Sequence, residues 1–247
     1  MANNKKKQTQ WYWGTEEYEQ DQRNFEKGGQ SPETVFAVAQ RWGIEFLVAH
    51  LAGKTRDVYI QRRIASHLKT WEKARCPYQF DEILHGKVLD LGCGAASVLE
   101  GRDDSIDSLI AIDPALKGYV AGAPHIAQIG QVGKCFYVSG VIQDITDEDF
   151  DAIYSFNAID HGVDWENIIE HCYRVLKPGG YLMLGVHVCS KPRTGYHRRL
   201  THPSHFPHKA LLEQIARAGF EVSWYQDINP YLRKPVFLSL TVARKPC

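Results

Sequence analysis

The residues best suited to chemistry sit together in the run Val88-Leu89-Asp90-Leu91-Gly92-Cys93-Gly94. A buried-strand pattern carries a carboxylate and then breaks into two glycines one residue apart. Glycine tolerates positive φ and lets a ligand lie against bare backbone, so the pair marks a sharp turn suited to close approach. A second apolar run, Leu109-Ile110-Ala111-Ile112, ends in Asp113. It follows the turn by about 20 residues, the interval at which a second parallel strand presents an acid to a ribose diol. Each hydrogen bond that a carboxylate accepts from such a hydroxyl contributes on the order of 1.5–3 kcal/mol. A dinucleotide site would want a third glycine, spaced G-x-G-x-x-G, to lay a pyrophosphate on a helix N-terminus. Ser97 stands at that place, and Asp90 would set negative charge beside the phosphates. A cofactor with a cationic amino-acid end has the opposite need.

S-adenosylmethionine, with its ammonium and sulfonium, is such a cofactor. Asp90, Gly92 and Gly94 are predicted to hold its methionine end, and Asp113 its ribose. The elements that must position them are a strand, the glycine turn and a helix starting over Ala95 to Glu100. Helical periodicity also precedes this unit. Ser31-Pro32-Glu33 reads as a helix start, with apolar positions recurring to Leu51. A second helix is predicted from Asp57 through Trp71, with Ile60, Ile64 and Leu68 as its stripe. Residues 1–10 read as a disordered tail, 11–84 as a helical cap and 85–247 as the cofactor-binding domain. Methyl transfer needs water kept out and the acceptor held in line, which gives a cap a mechanistic use. Trp11, Tyr12 and Trp13 read either as acceptor walls, with Trp13 foremost, or as packing anchors.

Four stretches in order then carry a family resemblance. They are Val88 to Gly94, Ala111-Ile112-Asp113, Phe150-Asp151-Ala152-Ile153-Tyr154-Ser155 and Leu176-Lys177-Pro178-Gly179-Gly180-Tyr181-Leu182. From about Gly86 onward the chain resembles the class I S-adenosylmethionine-dependent methyltransferases. The family often has a third glycine two residues after the second, where Ala96 stands here. The resemblance implies an α/β, Rossmann-like seven-stranded sheet of order 3-2-1-4-5-7-6, last strand antiparallel, with helices on both faces. It also implies an acidic or amide side chain framing the adenine. Val141 holds the usual position, and Asp144 is taken in its place. Phe156 is taken as the wall next to the sulfonium.

The remaining candidates lie further on. The strand Asp151–Phe156 empties into Asn157-Ala158-Ile159-Asp160-His161, and reacting groups of open α/β sheets gather at such ends. Two readings of the Asp160-His161 pair stand: a general base for the acceptor, or a pair that shapes the loop and contacts cofactor. Asn157 is placed on the substrate side. Helices are predicted over Pro114–Gln128, Trp165–Leu176 and Lys209–Ala218, with strands over Cys135–Val138, Tyr181–Val186, Phe220–Tyr225 and Val236–Ala243. Residues 187–208 hold five of the eleven histidines, with Lys191, Arg193, Arg198 and Arg199. This long loop reads as a lid bringing His202 or His205 near the acceptor, a phosphate-contacting patch, a metal site or a plain connection.

Composition bounds the rest. Hydrophobic residues make up 44% and charged residues 23%, which suits a soluble globule. A formal net charge of zero offers no global field for capturing nucleic acid. No apolar run reaches bilayer-spanning length. The six cysteines are scattered without a C-x-x-C pair, which predicts free thiols and no zinc or other metal site. With no apolar leader after the first lysines, a cytoplasmic location is expected. The resulting expectation is a methyltransferase acting on a small molecule, at oxygen if His161 is a base. The alternatives are an RNA methyltransferase and a cofactor-binding regulatory protein without turnover.

Overall fold

The computed structural model describes residues 16–27, 31–100, 102, 104–162, 164–189, 207–228 and 236–247. In chain order the elements are α1 (Glu16–Lys27), α2 (Pro32–Leu51), α3 (Arg56–Lys73), α4 (Phe80–Ile83), β1 (Gly86–Leu91), β2 (Ile106–Ile112) and α5 (Leu116–Gly122). There follow β3 (Gly130–Val132), β4 (Cys135–Val138), β5 (Phe150–Phe156), α6 (Trp165–Val175), β6 (Leu176–Cys189), α7 (His208–Arg217), β7 (Glu221–Ile228) and β8 (Val236–Arg244). The sheet runs β3-β4-β2-β1-β5-β6-β8-β7. Strands β4, β2, β1, β5 and β6 are parallel, while β8 lies antiparallel between β6 and β7. Setting β3 aside, this is the expected order, and the chain has the α/β Rossmann-like fold. The count is eight rather than seven, because Gly130–Val132 folds back antiparallel onto β4 as an edge strand.

Both faces of the sheet are covered, which is why Val88 to Leu91 read as an unbroken buried run. One core gathers side chains of α3, α5 and one face of the strands, among them Tyr59, Trp71, Leu116, Val88 and Tyr154. The other packs Ile169, Cys172, Leu211 and Ile215 of α6 and α7 against Leu89, Ile153 and Leu184. Helix starts follow their caps: Ser31 Oγ accepts from Thr34 N, and Thr55 Oγ1 accepts from Val58 N.

Three local expectations are corrected. Ala95 to Glu100 is a series of turns, not a helix. Ser97 Oγ accepts from Leu99 N and its own amide donates to Tyr137 Oη, so side chains take the bonds a helix would need. The helix predicted over Pro114–Gln128 contracts to Leu116–Gly122. Finally, β6 begins at Leu176, and Lys177 to Gly180 bulge within it, between the pairs Phe150–Leu176 and Ala152–Tyr181.

Helix α2 sits in a notch of α5. A Cβ built on Gly118 would lie 2.4 Å from Ile44 Cδ1, and one on Gly122 would lie 2.6 Å from Val48 Cγ2. Gln40 Nε2 adds a 2.6 Å hydrogen bond to Pro114 O, one residue after Asp113. Overpacking costs about 1–3 kcal/mol per site, against about 1 kcal/mol gained per Gly→Ala in a helix. Gly118→Ala with Gly122→Ala is therefore expected to lower the thermal midpoint, and Ile44→Ala with Val48→Ala to recover part of the loss. An unchanged midpoint in the double variant would contradict this docking.

Candidate active site

The C-terminal ends of β1 and β2 meet at the glycine turn, and the exit of β5 lies against it. Gly92 adopts φ +79°, and its amide donates to Ile112 O at 2.8 Å, tying the turn to β2. A Cβ at Gly92 would come within 2.1 Å of Ala158 Cβ, so the segment leaving β5 presses directly on the turn. Asp113 holds the other side: Oδ2 accepts from Gly94 N at 2.9 Å and Oδ1 from Ala115 N at 2.8 Å. Each carboxylate oxygen retains capacity for a further donor. Asp90 lies beneath, 3% exposed, accepting from Ser97 Oγ at 2.5 Å.

Where sequence reading placed a helix, α3 crosses above the turn and supplies Arg63. Its Nη1 donates to Cys93 O and Ala96 O, each at 2.8 Å, and to Tyr59 Oη at 3.1 Å. Burial works against the guanidinium charge, yet Tyr59, Asp90 and Cys93 hold its pKa above the ordinary value. Burial also pushes Asp90 up to about 6, against the lowering effects of Ser97 and Arg63. Asp113 is raised by burial, opposed by the Ala115 and Gly94 amides and by Arg63.

One turn along α3, buried His67 puts Nδ1 2.7 Å from Tyr154 Oη and stacks on Phe156 with ring centroids 4.0 Å apart. Burial, then the Arg63 charge, lowers its pKa to about 3. One face of Phe156, the expected sulfonium wall, is thus covered by an imidazole. Asn157 stands at φ +55°, its amide donating to Gly185 O at 2.6 Å. Its Oδ1 is buried without a hydrogen-bond partner. Asp160 and His161 share a 3₁₀ turn, and Asp160 Oδ2 faces His187 Nδ1 of β6 at 3.6 Å. Exposed Asp144 accepts from Val141 N at 2.9 Å, closing its own short turn. Trp13, His202 and His205 lie outside the described residues. A cavity of about 210 Å³ between Ile106, Leu109, Val132 and Cys135 opens at the opposite edge of the strands, away from these groups.

Sequence reading missed Arg63, His67, Tyr154 and His187. The signal for two of them was present: Tyr59, Arg63, His67 and Trp71 recur every four residues along α3. The stripe chosen instead ends on Leu68, which is 38% exposed. It was preferred because it is wholly apolar, whereas the face turned to the turn is mixed.

The donor set fits S-adenosylmethionine: two carboxylates, one guanidinium and an orphaned buried carbonyl lie about a bare-backbone turn, offering both signs of charge to a zwitterionic amino-acid end. Comparison with known proteins agrees. The family model described as a methyltransferase domain matches residues 59–223, and the chain belongs to that family. A ubiquinone biosynthesis O-methyltransferase of Bos taurus is 28% identical over 159 residues, 61% of this chain and 41% of that protein. A cycloartenol-C-24-methyltransferase of Oryza sativa is 27% identical over 172 residues, 64% of this chain and 50% of that protein. The chain thus spans about half the length of the curated relatives it matches. Among solved structures, a Burkholderia thailandensis 1,6-didemethyltoxoflavin-N1-methyltransferase shares the fold with TM-score 0.57 at 16% identity, covering 89% of this chain and 92% of that one. The [4+2]-cyclase SpnF shares it with TM-score 0.53 at 20% identity, covering 66% and 76%.

The two buried titrating groups oppose each other in pH. Asp90, raised from 3.8 to about 6, makes stability fall as pH rises through that window. His67, lowered from 6.5 to about 3, makes stability fall as pH drops through its wider window. The two nearly cancel between about pH 6 and 4, and only the His67 contribution continues to lower stability below that range. His67→Gln keeps a polar partner for Tyr154 and removes the titration. Between pH 7 and 4.5 its loss of stability in urea unfolding should be smaller than that of the unsubstituted protein by about 2–3 kcal/mol. Equal losses would show that the imidazole is not held neutral.

Proposed function

We propose that the protein binds S-adenosylmethionine across the Gly92–Gly94 turn and transfers its methyl group to an oxygen of a small-molecule acceptor. The guanidinium of Arg63, donating to the turn carbonyls of Cys93 and Ala96 and to Tyr59 Oη of its own helix, with Asp90 and Asp113 close by, carries the reading. A zwitterionic amino-acid end carries both charges that this arrangement complements, whereas a pyrophosphate carries only one. When bound, S-adenosylmethionine supplies a methyl carbon activated by positive sulfur. Arg63 then receives the carboxylate, while Asp90, the turn backbone and Asn157 Oδ1 surround the ammonium. Asp113 accepts from the ribose, and Asp144 with neighbouring backbone borders the adenine. Phe156, stiffened by His67, walls the sulfonium side, and the helices over residues 16–83 exclude water and order the acceptor. Transfer to oxygen in a small molecule is favoured by the O-methyltransferases among the relatives and by acid–imidazole groups beyond β5. Free thiols at Cys76, Cys93, Cys135, Cys172 and Cys247 support a cytoplasmic location as part of the same proposal.

Calorimetry tests the cofactor site without knowledge of the acceptor. S-adenosylhomocysteine should bind and NADH should not. Arg63→Gln should weaken S-adenosylhomocysteine binding about 10- to 100-fold, the value of one charge-assisted hydrogen bond. Heat from NADH with none from S-adenosylhomocysteine would overturn the proposal.

A further inference from the structure

We infer that His187 is a catalytic imidazole of this site, with Asp160 behind its Nδ1 and its Nε2 taking the proton of an acceptor hydroxyl. The inference deepens the methyltransferase reading and rests on it. Four observations lead there. Asp160 is 1% exposed, and so deep a carboxylate is tolerated only beside groups that donate to it or balance its charge. Its Oδ2 faces His187 Nδ1 at 3.6 Å, while the His187 side chain remains 25% exposed. Contacts between a catalytic acid and an imidazole are often long before an acceptor binds and tighten with it. Both residues also stand two positions beyond residues that fix the exit of β5. Asp160 follows Ala158, which presses on Gly92, and His187 follows Gly185, whose carbonyl accepts from Asn157 N. Lastly, β6 alternates its faces, so His187 shares with Gly185 and Phe156 the side of the sheet on which α3 lies.

The adjacent histidine is a different case. In a turn of three residues per revolution, neighbouring side chains diverge by about 120°. A carboxylate turned toward His187 is therefore not aligned to orient His161 in the same way. At 3.6 Å the two are not yet hydrogen-bonded; drawn together when the acceptor binds, a carboxylate at Nδ1 fixes the tautomer with the proton on Nδ1 and leaves the Nε2 lone pair as the acceptor. In the step itself, the acceptor's O–H proton passes to Nε2 and its oxygen pair forms the new bond to the methyl carbon. The pair of the broken carbon–sulfur bond stays on sulfur, and the imidazolium then releases its proton to water.

Nitrogen-15 NMR of the full chain with S-adenosylhomocysteine reads the tautomer without any turnover, with the His187 signals assigned by their loss in His187→Gln. The expected result is a protonated Nδ1 in the unsubstituted protein, and loss of that preference in Asp160→Asn. In parallel, catechol serves as the hydroxyl probe, with methylation from S-adenosylmethionine followed by mass spectrometry. His187→Gln should slow it at least 100-fold, within the range for a lost general base, while S-adenosylhomocysteine affinity stays within twofold. A protonated Nε2, or catechol turnover in His187→Gln within threefold of the unsubstituted protein, would overturn the role of His187. If catechol is not methylated at all, the tautomer alone decides. Failure of S-adenosylhomocysteine to bind the unsubstituted protein would instead sink the methyltransferase reading on which the role depends.

Discussion

One half-buried cation sets the terms for the site. Arg63 enters from α3 and donates to the carbonyls that the glycine turn leaves open, while Asp90 and Asp113 balance its charge. An uncompensated guanidinium there would be prohibitive, and so would two uncompensated carboxylates. The charges of the three groups offset one another where α3 lies across the turn. That crossing in turn carries His67 onto Phe156 and Trp71 onto Trp224 of β7, so one helix spans the sheet from the cofactor turn to its far edge.

The glycine turn consequently works without the helix that usually follows it. Ser97 spends its hydroxyl on Asp90 and on Leu99 N, and its amide on Tyr137, so the chain leaves the turn as a string of tight bends. Tyr137 and Arg56 both reach Glu100, fastening the end of this segment to β4 and to α3. In the proposed complex, the electrostatic work of a helix N-terminus would pass to the Arg63 side chain. A guanidinium is better matched to a carboxylate than backbone amides are, because its planar fork donates in parallel.

Sharing the fold does not fix the reaction. The structures it resembles include a methyltransferase acting on 1,6-didemethyltoxoflavin and a [4+2]-cyclase. What distinguishes members of such a fold is the furniture at the strand ends. In this chain that furniture comprises Asn157, Asp160 and His187, beside the Phe156 that His67 of α3 covers.

The turn at Gly92 and the acids at positions 90 and 113 were readable from the chain, because each is a local pattern: an apolar run, a break and a charge at a fixed interval; the order of strands came only through the family resemblance that those patterns carry. The ends of α2 and α3 were legible for the same reason, through Ser31-Pro32 and an apolar period. The extra strand β3 was not, since three residues containing a glycine carry too little pattern to count. Nor was the absence of a helix after Gly94, which depends on Tyr137 lying forty residues away in sequence. Arg63, His67 and His187 reach the strand ends only through packing. A polar residue on a mixed helix face looks solvent-exposed until the sheet it covers is in place. Sequence determined where a cofactor would meet the backbone; tertiary structure decided which side chains meet it there, because those contacts join segments that no local spacing connects.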